Sequence, residues 1–251
     1  MLDEMSAEKR KPHYGYYALP IFAALTTIII IVGVLVSVFL SQVAGIIILS
    51  FGVYLFSAYG VSMYLAKQHR AADIPEMLHI RGDEKVLDVG CGLGKMTVGV
   101  AKHLTTGKVV GVDIWSKMEI PGNSPERAYE NAKLEGVLDK VEFKTGNVLS
   151  LPFPNNSFDL VTSSSVINNL HGDAEKSKAL REIFRVLRPG GKFLMAEPLR
   201  NMRGFFTFSP FAFLELLPKD RWITLLEKAR FSNLKYAYQS GMGMFLVEKP
   251  L

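Results

Sequence analysis

Cysteine is almost absent from this chain of 251 residues, which has a single thiol at Cys91. One cysteine cannot form a disulfide bond within the chain, and nothing in the sequence points to an oxidising compartment. Cysteine and histidine do not cluster at metal-ligand spacings, so we predict no metal site. Cys91 itself follows Gly90 in a glycine-rich stretch, where we interpret it as a small inert residue rather than as a nucleophile.

Charged side chains and histidine are also missing over one long stretch, residues 14–66. Within it, Ile21–Leu40 and Val43–Leu65 are each apolar and long enough to cross a bilayer, which takes about 20 residues. A signal peptide does not fit, because the apolar region is too long and no cleavage site follows it. A pair of buried core helices is disfavoured, because such long uncharged runs are rare in soluble proteins. We expect a transmembrane hairpin with spans at about 17–40 and 43–66.

Basic residues flank the expected hairpin on both sides and are missing from its turn at Ser41-Gln42. The sequence has Lys9, Arg10 and Lys11 before the first span, and Lys67 and Arg70 after the second. Because Lys and Arg are enriched in cytoplasmic loops, we expect an integral protein of the cell membrane with both termini in the cytoplasm. The chain then divides into a cytoplasmic tail (1–13), the hairpin (14–66), a juxtamembrane linker (67–84) and a cytoplasmic domain (85–251).

Small residues recur at intervals of four along the hairpin, at Gly33, Ser37, Ser41 and Gly45. Such a stripe lets helices approach closely in a membrane. The stripe could join the two helices of one chain or the helices of two chains. A homodimer is the prediction that rests on the second alternative.

A strand, a glycine turn, a helix and a second strand are predicted over residues 85–115. The run Val86–Val89 is largely apolar, as in a strand covered on both faces, and Val109–Val112 is a second such run. Three glycines at alternate positions follow the first strand: Gly90, Gly92 and Gly94. Glycine adopts positive φ and lets a ligand come close, and the next helix begins with free amide groups. Asp113 ends the second strand about 20 residues later, where an acidic side chain can bind both hydroxyls of a ribose.

Three segments of the second domain carry a family resemblance. They are Asp88-Val-Gly-Cys-Gly-Leu-Gly94, Ser157-Phe-Asp-Leu-Val161 and the run from Ala179 to Phe193 that contains Arg-Val-Leu-Arg-Pro-Gly-Gly. In this order they resemble the motifs of class I S-adenosylmethionine-dependent methyltransferases, whereas a dinucleotide fingerprint would need glycine instead of Lys95. The resemblance covers roughly residues 70–250. It implies an α/β, Rossmann-like seven-stranded sheet in the order 3-2-1-4-5-7-6, with S-adenosyl-L-methionine as the cofactor.

The expected cofactor contacts lie at the carboxyl ends of the first strands. Ile114 and Trp115 are candidates to pack on the adenine, although core packing or a membrane-interface anchor is the alternative for Trp115. The family commonly has Asp at the position of Asn147, whose carbonyl oxygen can accept the same hydrogen bond from the adenine amino group. The full set of predicted cofactor-binding residues is Asp88, Gly90, Cys91, Gly92, Gly94, Asp113, Ile114, Trp115, Asn147, Val148 and Ser163.

Polar residues after the fourth predicted strand are candidates for acceptor chemistry, because ligands bind outside the carboxyl ends of an open α/β sheet. His171 is the candidate general base for a hydroxyl acceptor. Asn168 and Asn169 are candidates to orient the acceptor or the methionine moiety. The alternatives are a surface role for His171 as a cap of the next helix and ordinary turn chemistry for the two asparagines.

Aromatic residues are concentrated between positions 198 and 218, after the fifth predicted strand. Phe205 and Phe206 begin a run that continues with Phe208, Phe211 and Phe213. We expect this segment to enter the bilayer interface and to receive an apolar acceptor, with Phe205 and Phe206 as substrate contacts. A lid packed on its own domain is the alternative.

These features predict an integral membrane methyltransferase that acts on a membrane-associated acceptor, such as a lipid, a quinone or an isoprenylated group. The alternatives are a tethered methyltransferase of a soluble small molecule and a non-catalytic cofactor-binding module. The net charge is +5, but we expect no nucleic acid as a partner. Part of the basic charge lies at the expected bilayer edge, and Ser163-Ser-Ser-Val lacks the Asn/Asp-Pro-Pro-aromatic motif of many enzymes that methylate bases.

Overall fold

The computed structural model combines a pair of apolar helices with a seven-stranded α/β domain. It describes residues 11–17, 19–68, 77–202, 216–239 and 241–251. The α-helices are α1 (Leu19–Phe39), α2 (Gln42–Gln68), α3 (Lys95–Ala101), α4 (Pro125–Leu134), α5 (Gly172–Val186) and α6 (Lys219–Lys228). The strands are β1 (Lys85–Val89), β2 (Lys108–Asp113), β3 (Val141–Thr145), β4 (Phe158–Ser164), β5 (Leu187–Pro198), β6 (Ser232–Gln239) and β7 (Met242–Glu248).

Helices α1 and α2 pack side by side and are joined by a tight turn at Leu40 and Ser41. Pro20 lies in the first turn of α1, where its missing amide costs no hydrogen bond. Both helices are long and apolar enough to cross a membrane, with mean hydropathies of 2.8 for Leu19–Phe39 and 1.8 for Gln42–Val61. Only 11% and 28% of the residues in these stretches are buried, whereas the core helix of a soluble protein is mostly buried.

The stripe of small residues lies between the two helices of one chain. A Cβ atom added to Gly45 would lie 2.4 Å from the Cβ of Ser37, and one added to Gly33 would lie 2.9 Å from the Cγ of Leu49. Gly33 and Gly45 therefore allow α1 and α2 to come close within the hairpin. The homodimer stays a prediction. Because Gly33 and Gly45 already pack within one chain, they do not provide an interface between two chains.

The sheet has the strand order β3-β2-β1-β4-β5-β7-β6, as predicted. Strands β1 to β5 pair in parallel, and β7 is antiparallel to both β5 and β6. Helices cover both faces. Leu87 and Val89 pack on one side with Leu180 of α5 and Trp222 of α6, whereas Val86 packs on the other side with residues of α3 and α4. Three of the buried polar residues, Asp88, Ser163 and Glu197, lie near the carboxyl ends of β1, β4 and β5.

The fifth strand begins earlier than the sequence predicts. The expected start is Lys192, after a terminating Arg188-Pro-Gly-Gly191 segment. In the structure Leu187 pairs with Phe158 and Lys192 pairs with Leu160, so residues 188–191 form a bulge inside β5. The side chain of Arg188 forms an ion pair with Asp159, the residue opposite the bulge, at 2.5 Å.

Two helix boundaries also differ from the prediction. Helix α5 begins at Gly172 with His171 as its N-cap residue, so Asp173 lies in the first turn and is not the cap. The backbone N–H of His171 donates to Oε2 of Glu175 at 2.9 Å. Helix α3 ends at Ala101 and not near Leu104, because the chain tightens there into hydrogen bonds between residues three apart.

Candidate cofactor site

The glycine turn after β1 adopts the backbone conformation that glycine alone tolerates easily. The φ angles of Gly90, Gly92 and Gly94 are 67°, 50° and 85°. The amides of Gly90 and Cys91 both donate to the carbonyl of Val112 in β2, at 2.8 and 3.1 Å. The turn is thereby fixed to the neighbouring strand and leads directly into α3.

The turn also meets the loop after β4 at very short range. A Cβ atom added to Gly90 would lie 2.2 Å from Cγ2 of Val166. A Cβ atom added to Gly94 would lie 3.0 Å from the ring of Phe143. Glycine is therefore required at positions 90 and 94 for two reasons: the backbone has a positive φ there, and a side chain would have no space.

Asp113 accepts three hydrogen bonds at the candidate site. Its Oδ2 accepts the backbone N–H of Gly92 at 2.8 Å, and its Oδ1 accepts the N–H of Trp115 at 2.7 Å. The side-chain amide of Asn123 donates to the same Oδ1 at 3.1 Å. These contacts hold the carboxylate at the glycine turn while Oδ2 keeps one acceptor position, which a ribose hydroxyl can use.

Asp88 lies below the turn and is buried. Its two oxygens accept the hydroxyls of Thr97 in α3 at 2.6 Å and of Thr162 in β4 at 2.9 Å. Burial raises the pKa of this carboxyl to about 6, against the opposing effect of the two hydroxyls. The side chain therefore connects β1, α3 and β4 beneath the turn.

Cys91 is buried in the turn, and burial raises the pKa of its thiol well above the ordinary value. The carboxylates of Asp88 and Asp113 act in the same direction. A thiol of this kind is a poor nucleophile, because the thiolate is the reactive form.

The residues predicted around the adenine occupy the ends of β2 and β3. Ile114 is 58% exposed, and the indole Nε1 of Trp115 donates to the hydroxyl of Thr145 at 3.1 Å. The Oδ1 of Asn147 accepts the backbone N–H of Leu149 at 2.8 Å in a local turn. Val148 is buried in the core beside β2. Of these residues, Ile114 and Asn147 are exposed and Trp115 is half-buried, so these three can be reached by a ligand, whereas Val148 cannot.

Asn168, Asn169 and His171, which are predicted for acceptor chemistry, lie on the segment that follows β4. Ser163, a predicted cofactor contact, is buried near the end of β4, and its hydroxyl has no hydrogen-bond partner among the described residues. The same holds for the buried Oδ1 of Asn168. The amide of Asn169 donates to the carbonyl of Ser165 at 3.1 Å, and His171 is exposed at the start of α5. Phe205 and Phe206 lie outside the described residues.

Residues 11–17, here called the strap, pack on the glycine turn, a contact that no sequence motif predicts. The backbone N–H of His13 donates to Oδ1 of Asn131 in α4 at 2.9 Å. The Nδ2 of Asn131 donates in turn to the carbonyl of His13 at 3.1 Å and to that of Leu93 at 2.9 Å. Asn131 therefore joins the strap to the residue between the second and third turn glycines.

The middle of the strap lies against the same surface. Gly15 has a φ of 74°, and a Cβ atom there would lie 2.6 Å from Cγ2 of Ile120 and 3.3 Å from Cδ1 of Leu93. The hydroxyl of Tyr14 lies 3.4 Å from Oε1 of Glu135. Burial, and to a smaller extent the negative charge of this carboxylate, raises the pKa of Tyr14. The strap thus covers part of the turn and of the segment after Asp113.

The strap ends at the apolar helices. The carbonyl of Tyr17 accepts the hydroxyl of Tyr59 in α2 at 2.9 Å, and the ring of Tyr59 stacks on Phe22 of α1. Burial, with the carboxylates of Glu119 and Glu197, raises the pKa of Tyr17 to about 12. The hairpin is therefore attached at the carboxyl edge of the sheet.

The arrangement fits S-adenosylmethionine. The glycine turn leaves room at the start of α3, and Asp113 offers an acceptor for a ribose hydroxyl. Within the described part of the chain, Ser163 Oγ and Asn123 Oδ1 are buried polar atoms without partners. Such atoms are uncommon in folded proteins, and a polar ligand at this edge would satisfy them. The described residues contain no group of three or more His, Cys, Asp or Glu side chains able to hold a metal ion.

Comparisons with known proteins agree with this assignment. Residues 87–195 match the family model described as a methyltransferase domain. A demethylmenaquinone methyltransferase of Symbiobacterium thermophilum is 32% identical over 69% of this chain and 66% of its own length. A ubiquinone/menaquinone biosynthesis C-methyltransferase of Salmonella arizonae is 39% identical over 47% of this chain and 44% of its own length.

A solved methyltransferase structure shares the fold. A SAM-dependent methyltransferase of Methanosarcina mazei superposes with a TM-score of 0.57 at 23% identity, over 70% of this chain and 97% of that one. The chain spans 66% and 44% of the two sequence relatives named above. The strand order, the glycine turn with its ribose acid and the family match agree with one another. The chain therefore carries the domain of a class I S-adenosylmethionine-dependent methyltransferase.

Proposed function

We propose that this protein is an integral membrane methyltransferase whose acceptor is carried by the membrane, with an isoprenoid quinol as the favoured class. The observation that carries the proposal is the strap, which connects the apolar hairpin to the glycine turn through Asn131 and Gly15. A hairpin attached at this edge brings the bilayer to the side of the sheet on which class I enzymes of this topology bind their ligands.

The character of the helices supports a membrane location. Their exposed apolar side chains include Ile28, Val38, Phe39 and Val53, each more than half exposed. A soluble protein rarely exposes a continuous apolar surface of this size, because removal of such a surface from water is favourable. Burial in lipid accounts for both helices at once.

The names of the relatives support the quinol class. One is named a demethylmenaquinone methyltransferase and another a ubiquinone/menaquinone biosynthesis C-methyltransferase. Isoprenoid quinones are apolar and reside in the bilayer, so a hairpin beside the cofactor site suits such an acceptor. The tethered methyltransferase of a soluble molecule remains the alternative function, and it does not account for attachment at this edge.

The main task of the residues at this site is to position the cofactor and the acceptor. The cofactor supplies an activated methyl group, and the glycine turn and Asp113 hold it by its polar parts. The loop after β4 is where an acceptor would lie in line with that methyl group. A ring carbon that gains the methyl group loses one proton, and His171, exposed at the start of α5, is the proposed group that receives it.

Methyl transfer in native membranes tests the proposal. Membranes that contain the full chain would be incubated with S-adenosylmethionine labelled in the methyl group and then extracted with organic solvent. Label in a lipid-soluble product whose mass exceeds that of a quinol by one methylene unit supports the proposal. Label only in water-soluble products supports the tethered enzyme, and failure of the purified protein to bind the cofactor in calorimetry contradicts the assignment itself.

The strap has its own test in the same assay. Gly15→Ala introduces a Cβ atom 2.6 Å from Ile120 at a positive φ, which should displace the strap. We expect transfer to the membrane acceptor to fall at least about tenfold, a loss of about 1.4 kcal/mol. Gly136→Ala is the control, because Gly136 also has a positive φ but no described atom lies within 4 Å of its added Cβ. Equal activity of the two variants would contradict the role of the strap.

A further inference from the structure

Glu197, at the end of β5, holds the loop that follows β4 by its amide groups. This side chain is fully buried. Its Oε1 accepts the backbone N–H of Ile167 at 2.8 Å and that of Val166 at 3.1 Å. A carboxylate that accepts two successive amides fixes the backbone between them, because charged acceptors form the stronger hydrogen bonds.

Lys176, on α5, holds the same loop by its carbonyl groups. This side chain is only 4% exposed. Its Nζ donates to the carbonyl of Asn168 at 2.8 Å and also to the carbonyl of Leu170. The loop 166–170 is therefore held on its amide side by a buried acid and on its carbonyl side by a buried base. Neither residue was singled out by the sequence motifs.

The loop transmits this constraint to the cofactor side. Val166 occupies the space beside Gly90 that a Cβ atom would need. Ser165, which precedes it, has a φ of 57° and donates its N–H to the carbonyl of Ala196 at 2.8 Å. A shift of the loop would therefore move Val166 against the glycine turn.

Three buried polar atoms near this loop have no hydrogen-bond partner in the part of the chain that the structure describes. They are Oγ of Ser163, Oδ1 of Asn168 and Oε2 of Glu197. Buried polar atoms are normally paired. Three unpaired ones, two near the ends of β4 and β5 and one on the loop between β4 and α5, indicate that a hydrogen-bonding ligand group belongs there. Oδ1 of Asn168 is an acceptor, so the fitting group is a donor such as the hydroxyl of a quinol.

We propose that Glu197 and Lys176 are positioning residues for the methyl acceptor, which they align by clamping the loop that presents Oδ1 of Asn168 to an acceptor hydroxyl. The inference rests on the proposed function, because it needs an acceptor at this edge of the sheet. In this proposal Glu197 and Lys176 align the acceptor with the glycine turn. Neither side chain contacts the methyl group.

The clamp depends on the ionised form of Glu197. Burial raises the pKa of this carboxyl to about 7, whereas the amides of Val166, Ile167 and Asn168 and the positive charge of Lys176 oppose the shift. Among the described residues, Tyr17 of the strap also faces this carboxylate. Protonation near neutral pH weakens the acceptor for the two amides and removes the counter-charge of Lys176.

The test uses the full chain in lipid–detergent micelles, with a short-chain prenylated naphthoquinol that lacks the ring methyl group as the probe. Glu197→Gln should raise the KM for this probe and lower kcat, with a loss in kcat/KM of at least tenfold at pH 8. The dissociation constant of S-adenosylmethionine should change less than twofold. The ratio of wild-type to variant kcat/KM should fall from at least tenfold at pH 8 towards one below about pH 7, because protonated Glu197 carries no more charge than Gln, whereas protonation of His171 affects both enzymes alike.

Glu182→Gln is the matched control. Glu182 also accepts a backbone amide, that of Leu151 at 2.8 Å, and also faces a cation, Arg185, but it lies away from the loop. Its variant should keep the wild-type pH profile. A Glu197→Gln enzyme with the wild-type profile and probe KM overturns the inference.

The double variant Lys176→Met/Glu197→Gln protects the test against simple misfolding. Lys176→Met alone leaves an uncompensated buried charge, so the double variant should be less impaired than the product of the two single losses. If the loss in kcat/KM of the double variant equals the product of the two single losses, the two residues act independently and the proposed clamp is wrong. If the wild type binds no S-adenosylmethionine, the proposed function fails. If the wild type binds and transfers normally and the variants match it, only the clamp fails.

Discussion

Gly90 is the residue at which the cofactor turn and the acceptor loop come closest. Gly90→Ala would place a Cβ atom 2.2 Å from Val166 at a φ of 67°. We expect a cost of about 1–3 kcal/mol in the free energy of unfolding and at least a tenfold weaker affinity for S-adenosylmethionine. Calorimetric titration of the purified full chain measures the affinity.

The control for this prediction is again Gly136→Ala. Its φ is 71°, and no described atom lies within 4 Å of the added Cβ. This variant should lose about 1–2 kcal/mol of stability from the backbone conformation alone and keep its affinity for the cofactor. Unchanged cofactor affinity in Gly90→Ala would show that the turn tolerates displacement of Val166.

Asp88 gives a prediction about stability and pH. Burial raises its pKa in the folded protein to about 6, from an ordinary value of 3.8. Between these two values the folded protein binds more protons than the unfolded chain, so the stability contributed by this group falls as pH rises. A shift of this size corresponds to about 3 kcal/mol. Asp88→Asn carries no such proton, so its stability relative to wild type should rise by about that amount from pH 4 to pH 7.

Urea unfolding of the full chain in detergent micelles, at intervals of pH, measures this difference. Asp139→Asn serves as the control, because Asp139 is exposed and its variant should follow the wild type. A stability difference between Asp88→Asn and wild type that stays constant from pH 4 to pH 7 would contradict the pKa.

The sequence identifies residues whose role depends on neighbours in the chain, and it misses those whose role depends on distant ones. The glycine turn and Asp113 are evident because a strand, a turn and a second strand place them together within one short segment. Glu197 is not evident, because the amide of Ile167 that it accepts is 30 residues away and belongs to another element. Lys176 is near its partners in the chain, but nothing in the sequence of its helix marks this lysine as buried. Asn131 is hidden for the same reason, since its partner is 118 residues away.

At the scale of elements, the hairpin depends on the close approach of α1 and α2. Gly45→Val would place its side chain against Ser37, whose Cα and backbone N lie 2.5 Å from the added Cβ. We expect the helices to separate and the full chain in detergent to unfold at a temperature several degrees lower. Gly60→Val is the control in the same helix, because no described atom lies within 4 Å of a Cβ there. Equal melting temperatures would contradict the observed crossing.

The elements themselves follow closely from the sequence where local chemistry sets their ends. Ser124 caps α4 through the N–H of Arg127, Pro125 begins the helix, and Gly136 follows its end with a φ of 71°. The start of β5 does not follow, because the bulge over residues 188–191 depends on pairing with β4. The stripe of small residues likewise predicts that a helix is approached closely along this face. It does not predict whether the other helix belongs to the same chain or to a second one.

At the scale of the whole molecule, the strap places the chain before α1 next to the cofactor domain, so a hairpin that spans a membrane, as proposed, has both on the same side. Basic residues on both sides of the hairpin favour the cytoplasm for that side. Because Cys91 is buried, introduced cysteines can report the topology. A membrane-impermeant maleimide applied to intact cells should label Ser41→Cys, in the turn, and should label Leu251→Cys only after lysis.

The opposite labelling pattern would show the reverse orientation, in which the domain has no access to S-adenosylmethionine in the cytoplasm. Labelling of both positions in intact cells would contradict two spans. Both substituted positions are exposed in the structure, so the reagent can reach them once the compartment permits.

The bond between His13 and Asn131 also orders events during synthesis of the chain. These residues are 118 positions apart, and the whole hairpin lies between them. A ribosome adds roughly 5–20 residues per second, so Asn131 emerges seconds after His13 and after both apolar helices have been made. The contact between the strap and the cofactor turn can therefore form only after both apolar helices have been synthesised. For a hairpin that enters the bilayer as it is made, this order puts membrane insertion before closure of the strap on the turn.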